Sequence, residues 1–409
     1  MAALRNRVVD SLRNPSYRFY LSSSLSQFAA LSMQIITMPL LMYRLTGSSA
    51  MLGITALVSA SPMILFSLLG GAIADRVPKK RIIVIGLLAS AVVSAGIGMS
   101  LSAGHISADK PGSWWILIAS ALMMGTVMGL MMPALQAAVA EIVNREQLMN
   151  AVALNTMGMN TLNLVAPGIA GFMIDALGFD AVYYTMAGLY ILGAVFISFV
   201  PLVKQTTSAG GNILGEIRKG FGYIRKDRLI FLVLSFSLGA TVLSMPYQQL
   251  LPIYVDDILK VGATGMGVIM TVTGGGALAG SIVLASLPNR KRGLMLLASG
   301  VVSGLALVVF SFSSTWILSL VFIVFVGLGQ TFRMTIGSTL LQTHATSDYR
   351  GRVMSIFSMQ WGLMSICTFV AGVLAEVLPV QWILGGLAML LVVASILSIM
   401  FLSSLRKLD

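Results

Sequence analysis

GGAIADRVPKKR, residues 70–81, joins two long apolar runs and decides the reading of the whole chain. Small residues at the end of one run lead into a single acid, Asp75, and then four bases, Arg76, Lys79, Lys80 and Arg81. Glycine and alanine let helix backbones approach closely, and a cluster of bases marks the cytoplasmic face of a bilayer. The stretch therefore reads as a charged corner between two closely packed membrane helices.

The composition agrees. Of 409 residues, 10% are charged and 57% hydrophobic, against roughly 25% charged in soluble domains. A water-soluble chain of this size has too little polar surface here to cover such a core. Stretches of 18 or more apolar residues recur along the sequence, each long enough to span hydrocarbon. The net charge of +12 is spread in short clusters between the spans, which fits positive-inside orientation and argues against nucleic-acid binding. The one cysteine, Cys367, lies in an apolar run, so neither disulfides nor Cys-based metal sites are expected. Residues 1–14 are polar and the first apolar run is too long for a signal-peptide core, so no cleavable leader is expected.

The pattern predicts an all-α membrane protein with twelve spans. They fall at 17–43, 49–75, 81–103, 113–141, 151–177 and 181–203, then 229–255, 263–287, 293–313, 315–343, 353–378 and 380–404. The bases test this arrangement independently. With a cytoplasmic amino terminus they belong in the tails and the even-numbered loops. Every lysine and arginine obeys, apart from Arg44, Lys110, Lys260 and Arg333. Both termini are thus expected in the cytoplasm.

The sequence divides into an amino-terminal bundle at 1–203, a linker at 204–228 and a carboxy-terminal bundle at 229–409. In the linker, Ile213, Leu214, Ile217, Phe221 and Ile224 recur at helical spacing opposite the bases. That pattern predicts an amphipathic helix on the cytoplasmic surface, either a tether between the halves or a solvated connector. EQLMNAVALN (146–155) and DYRGRVMSIF (348–357) stand at equivalent places in the two halves, as do PKKR (78–81) and PNRKR (288–292). Two pseudo-symmetric six-helix bundles are the expected architecture.

Gly71, Asp75, Arg76, Lys80 and Arg81 match the signature between the second and third spans of the major facilitator superfamily, which the chain resembles over nearly its full length. Pro78 stands where that family usually has glycine. PALQAAVAEIVNREQLMNA (133–151), LLPIYVDDIL (250–259) and GRVMS (351–355) resemble its branch of macrolide-efflux and enterobactin-exporter type pumps. Pro167, Gly168 and Gly171 partly match the fifth-span motif of the antiporters, with Ala166 and Ala170 in place of glycine, and imply a helix-packing role. The resemblance implies a secondary transporter in the bacterial inner membrane, working by alternating access and coupled to protons. Its implied substrate is an amphipathic small molecule such as a drug, a macrolide-like compound or a siderophore, which would make it an efflux antiporter contributing to multidrug resistance. A lipid or lysophospholipid transporter of the same fold is the alternative. Neither cofactor nor catalytic constellation is expected, and the protein is expected to act as a monomer among membrane lipids.

Individual residues refine this picture. Asp75 at the end of the second span is placed to meet the amino terminus of the eleventh, near Arg350 and Arg352, as a conformational latch with Gly71, Arg76, Lys80 and Arg81. Arg333 is the one base deep in a span, so it should face a partner or a wet cavity. It reads as a contact for a polar or anionic substrate group, a counter-ion, or one member of a structural salt bridge, with Gln330 on the same face. Polar positions at helical spacing mark further cavity candidates: Gln27 and Gln34, Asn160 and Asn163, Thr241, Ser244 and Gln248, and Ser358 and Trp361. No carboxylate sits at mid-span. Asp175 and Glu376, near outer ends, are the candidates for proton coupling.

Overall fold

A computed structural model describes residues 11–110, 112–201, 222–288, 290–406 and 408, giving the helix but not the side chain at 67–76, 145, 347 and 348. Among the described residues, twelve helices are long and apolar enough to cross a membrane. They are α1 (Pro15–Thr46), α2 (Ser49–Arg76), α3 (Lys79–Ser102), α4 (Trp115–Ile142), α5 (Arg145–Leu177), α6 (Phe179–Ser198), α7 (Arg228–Ile258), α8 (Gly262–Ser286), α9 (Arg292–Phe312), α10 (Trp316–His344), α11 (Tyr349–Leu374) and α12 (Val380–Phe401). The expected linker helix falls mostly on 202–221, outside the described residues. Of its apolar positions, Ile224 is buried in a cluster with Ile230, Leu341 and Val353.

Two of the spans are interrupted, which hydropathy alone does not reveal. α7 runs regularly to Ser244, breaks at Met245, resumes at Pro246 and closes in a π-helical turn at Tyr254–Ile258. Proline cannot donate to the preceding turn and its ring crowds that turn's carbonyl, so Pro246 sets the break. α11 breaks at Met359, between Ser358 and Gln360. Its helix also starts earlier than apolarity predicts: Thr346 stands at the N-cap position, without a side-chain capping bond, of a helix beginning at Ser347, so the charged string around Arg350 is helical.

The chain forms two compact units. One comprises residues 1–47, 57–209 and 262–268, the other 48–56, 210–261 and 269–409. In the first, α3 packs on α4 and α6, while α1 packs on α5 and α6. In the second, α9 packs on α10 and α12, while α7 packs on α11 and α12. The same pairings recur six helices apart, as a duplicated bundle requires.

Lipid tails are as apolar as leucine, so these helices are held by close van der Waals contact and interhelical hydrogen bonds. Glycines supply the contact. A methyl group added at Gly125 of α4 would lie 2.1 Å from the Ser59 carbonyl of α2, and one at Gly327 of α10 would lie 2.0 Å from the Thr273 carbonyl of α8. Hydroxyls supply the bonds. Ser23 of α1 donates to the Gly193 carbonyl of α6 at 2.8 Å, and Tyr17 and Tyr20 donate to the carbonyls of Ala151 and Leu135 at 2.7 and 3.0 Å. Asn14 serves two helices, accepting from the Ser16 amide to cap α1 and donating to the Ile142 carbonyl at the end of α4.

Asp227 caps α7 in the same manner, accepting from the amides of Leu229 and Ile230 at 3.0 and 3.2 Å. Asp227→Ala leaves both donors unsatisfied. It is expected to cost about 1 kcal/mol, read as a lowered thermal midpoint in detergent with the helical circular-dichroism spectrum unchanged.

Candidate functional site

In the second unit, the polar residues of α7, α10 and α11 meet where α7 and α11 are broken. The break at Met245 brings its sulfur within 3.5 Å of Gln330 Nε2 on α10. The break at Met359 begins a new helical segment on Gln360, whose Oε1 accepts from Thr241 of α7 at 3.2 Å. Gln360 is 4% exposed and was not among the residues expected from the sequence. Its signal was weak, a lone glutamine beside a methionine with no polar stripe of its own.

Arg333 lies on the α10 face that carries Gln330 and Gly337. It is 2% exposed, and among the described residues its Nε and Nη1 have no hydrogen-bond partner. Tyr247 of α7 lies within electrostatic reach of the guanidinium, and Gln248 donates to the Tyr247 hydroxyl at 3.4 Å. Gly337 leaves room for Ser237, whose hydroxyl would sit 2.9 Å from an added methyl group. The hydroxyls of Ser237 and Ser244 are buried and unpartnered among the described residues. A buried guanidinium can bind an anion or a carbonyl cluster here, because the three N–H groups on Nε and Nη1 remain to be satisfied. Of the other candidates on this unit, Ser358 and Trp361 are exposed, and Ser358 donates to the Met354 carbonyl of its own helix.

In the first unit, Gln27 is 1% exposed; its amide nitrogen lies 4.0 Å from the Met128 sulfur of α4, and its Oε1 is unpartnered. Gln34 Oε1 is likewise buried without a partner among the described residues. Asn163 of α5 accepts from Ser32 of α1 at 2.6 Å, and about two turns earlier along both helices Asn155 accepts from Ser24 at 2.7 Å. Asn160 lies between them in sequence and is exposed. Two Ser–Asn pairs therefore stitch α1 to α5 among the described residues; Asn163, read from the sequence as a cavity candidate, belongs to one, and Asn155 was not singled out.

The side chains of Gly71, Asp75 and Arg76, the core of the expected latch, lie outside the described residues. Lys80 donates to the Ser198 carbonyl and Lys79 pairs with Glu141. Arg352 sits 4.9 Å from the Tyr349 ring, which stacks on Tyr223 at 4.3 Å, while Arg350 and Arg81 are exposed. At the opposite ends of the spans, Asp175 and Glu376 each hold a helix amino terminus. Asp175 accepts from the amides of Ala263 and Thr264 at 3.3 and 2.7 Å. Glu376 accepts from the Ala50 amide at 2.9 Å and from the hydroxyls of Ser48 and Ser49 at 2.6 and 3.2 Å. The Ala50 N–H, followed by the Ser48 hydroxyl, holds the Glu376 carboxyl below its ordinary range. Pro167, Gly168 and Gly171 line the face of α5 that meets α8, where Gly267 lies against the Pro167 carbonyl and the Gly168 Cα.

A duplicated six-helix unit with broken helices and buried polar side chains in the spans defines a polytopic helical transporter. The family model described as Major Facilitator Superfamily matches residues 20–368 and 250–408, and the chain belongs to that family. Among curated proteins it is 25% identical over 354 residues to the enterobactin exporter EntS of Shigella boydii serotype 18, covering 85% of this chain and 82% of that one. It is 24% identical, with the same coverage, to the EntS of Escherichia coli O139:H28. Among solved structures, the nucleoside transporter NupG superimposes with a TM-score of 0.71 at 14% identity, covering 96% of this chain and all of that one. A bacterial homologue of the human lysosomal transporter Spinster gives 0.65 at 11% identity, covering 98% and 95%. These structures share the fold.

Proposed function

We propose that the protein is a secondary active exporter of the bacterial inner membrane, working by alternating access as a monomer and moving an amphipathic small molecule with an anionic or carbonyl-rich group. The observation that carries the substrate chemistry is Arg333, buried with two guanidinium nitrogens unpartnered among the described residues. An uncompensated guanidinium in hydrocarbon costs several kcal/mol, so a ligand that satisfies it gains that much against any ligand that does not. Gln330, Tyr247, Thr241, Ser244, Gln248 and Gln360 supply neutral partners on the same unit, and Gln27 and Gln34 supply buried amides on the other. The match to enterobactin exporters over 85% of the chain supports export and a ligand of that size. The cytoplasmic latch of Asp75 with Arg350 and Arg352, and proton antiport, belong to this reading.

The test is flux in proteoliposomes. Enterobactin, a cationic dye and a fluorescent lysophospholipid are each offered to purified protein, with and without a pH gradient. Saturable movement of enterobactin, accelerated several-fold by a gradient acid on the receiving side, is expected. Movement of the lysophospholipid alone would replace this proposal with a lipid transporter, and the absence of saturable flux of any probe would overturn it.

A further inference from the structure

The two acids at the ends of α5 and α11 do the same thing in the same local setting. Asp175 lies in the last turn of α5 and Glu376 just beyond α11. Each accepts from first-turn groups of another helix, α8 and α2 respectively, whose amides have no partner within their own helix. A carboxylate there also meets the positive end of the helix dipole.

Four residues before each acid is a glycine. A methyl group on Gly171 would lie 2.3 Å from the Ala263 carbonyl, and one on Gly372 would lie 2.6 Å from the Ser49 carbonyl. The receiving helices answer with glycines of their own. A methyl on Gly267 would lie 2.7 Å from the Pro167 carbonyl, and one on Gly53 would lie 2.6 Å from the Phe369 Cα. The strings GFMID (171–175) and GVLAE (372–376) are therefore one device written twice. Both receiving helices also begin beside a left-handed glycine, Gly47 at φ +63° and Gly262 at φ +64°.

We infer that Asp175 and Glu376 form a matched pair of reversible clasps, which fasten α5 to α8 and α11 to α2 on one membrane face and release together during the transport cycle. Each clasp joins a helix of the first six to one of the last six, while all its partners lie within a single compact unit. In a twelve-span topology the four helix ends fall at odd-numbered loops, on the same face. The build suits release. Glycine-on-backbone surfaces carry no interlocking side chains, so parting them needs no repacking. Both carboxylates are exposed, so water can take over their hydrogen bonds as the helix ends separate.

The proposal deepens the alternating-access reading, and its first test needs no substrate. Spin labels on Leu177→Cys and Val377→Cys, both exposed positions, are placed in a Cys367→Ser background in liposomes, and their separation is measured by pulsed electron resonance. Asp175→Asn and Glu376→Gln singly are expected to add a minor longer-distance population, and the double variant to move at least half of the molecules to it. Asp175→Glu should restore the parent distribution in the Asp175→Asn series. Ser48→Ala with Ser49→Ala, which leaves both charges in place, should mimic Glu376→Gln. An unchanged distance distribution in a folded double variant would overturn the inference. A second arm covers misfolding: Asp175→Cys with Thr264→Cys, oxidised, should abolish enterobactin flux and recover it with a reducing agent. Full flux while cross-linked would show that the clasp never opens. If no probe is transported but the distances shift as described, the clasps stand and the exporter assignment fails.

Discussion

Arg333→Met is expected to lower enterobactin export at least tenfold while leaving the protein as stable as before or more so. The parent side chain is 2% exposed, with Nε and Nη1 lacking partners among the described residues. A buried cation without a counter-charge destabilises the folded state by several kcal/mol. Methionine has a similar reach, is unbranched and fills irregular space without a charge, so it removes that cost. Function should move the other way. A tenfold loss corresponds to about 1.4 kcal/mol, within the range of a single charge-assisted hydrogen bond to a ligand. Arg333→Lys should fall between, since it keeps the charge but loses the fork geometry. Flux in proteoliposomes and the thermal midpoint of the same preparation separate the two roles. If Arg333 belonged to a structural salt bridge, Arg333→Met would strand the partner charge, and the midpoint and the yield would fall together with transport.

Gly171→Val and Gly372→Val are expected to lower the protein's stability strongly. Even the first added carbon meets a backbone carbonyl at 2.3 Å in one case and 2.6 Å in the other, and a backbone atom cannot swing aside as a side-chain end can. Overpacking of this kind costs about 1–3 kcal/mol, and β-branching stiffens the intruding group further. Membrane yield should fall by more than half and the thermal midpoint should drop clearly. Gly188→Ala and Gly386→Ala provide the contrast, because an added methyl at either position meets nothing within 4 Å. Those two should be neutral or slightly stabilising, by about 1 kcal/mol from helix propensity. Equal losses at all four glycines would mean that the close approach at Gly171 and Gly372 does not hold these helices together.

Much of the fold was legible in the residues. Hydropathy has to reach a threshold over some 20 positions for each crossing, so twelve spans and their connections could be read one at a time. The placement of bases followed from a rule that acts on loops, independent of packing. The resemblance implied a packing role for Pro167, Gly168 and Gly171; in the structure an added methyl at Gly171 would lie 2.3 Å from the Ala263 carbonyl of α8. Arg333 stood out because a guanidinium within an apolar run is costly wherever the helix turns. The break in α7 had its signal in Pro246 and not in hydropathy. The break in α11 was not legible, since a window of mean hydropathy does not register one residue leaving the helical pattern. Nor was the partnership of Asp175 and Glu376. Each was visible as an acid near a span end, but its partners lie 88 and 326 residues away, at 263 and 50.

What the amino-acid string determined by itself is every property that depends on a local run of side chains. These are the number of spans, the charged string at Gly70–Arg81 between two of them and the isolated cation at Arg333. Tertiary structure alone decided which polar groups find one another. Gln360, just after the break in α11, reaches Thr241, one turn before the break in α7, and a carboxylate becomes a clasp only when a distant helix presents its first amides. The reason is physical: hydrophobic transfer into the bilayer is summed along the chain, whereas a hydrogen bond or a glycine contact has a range of about 3 Å and depends on which helix packing has brought alongside.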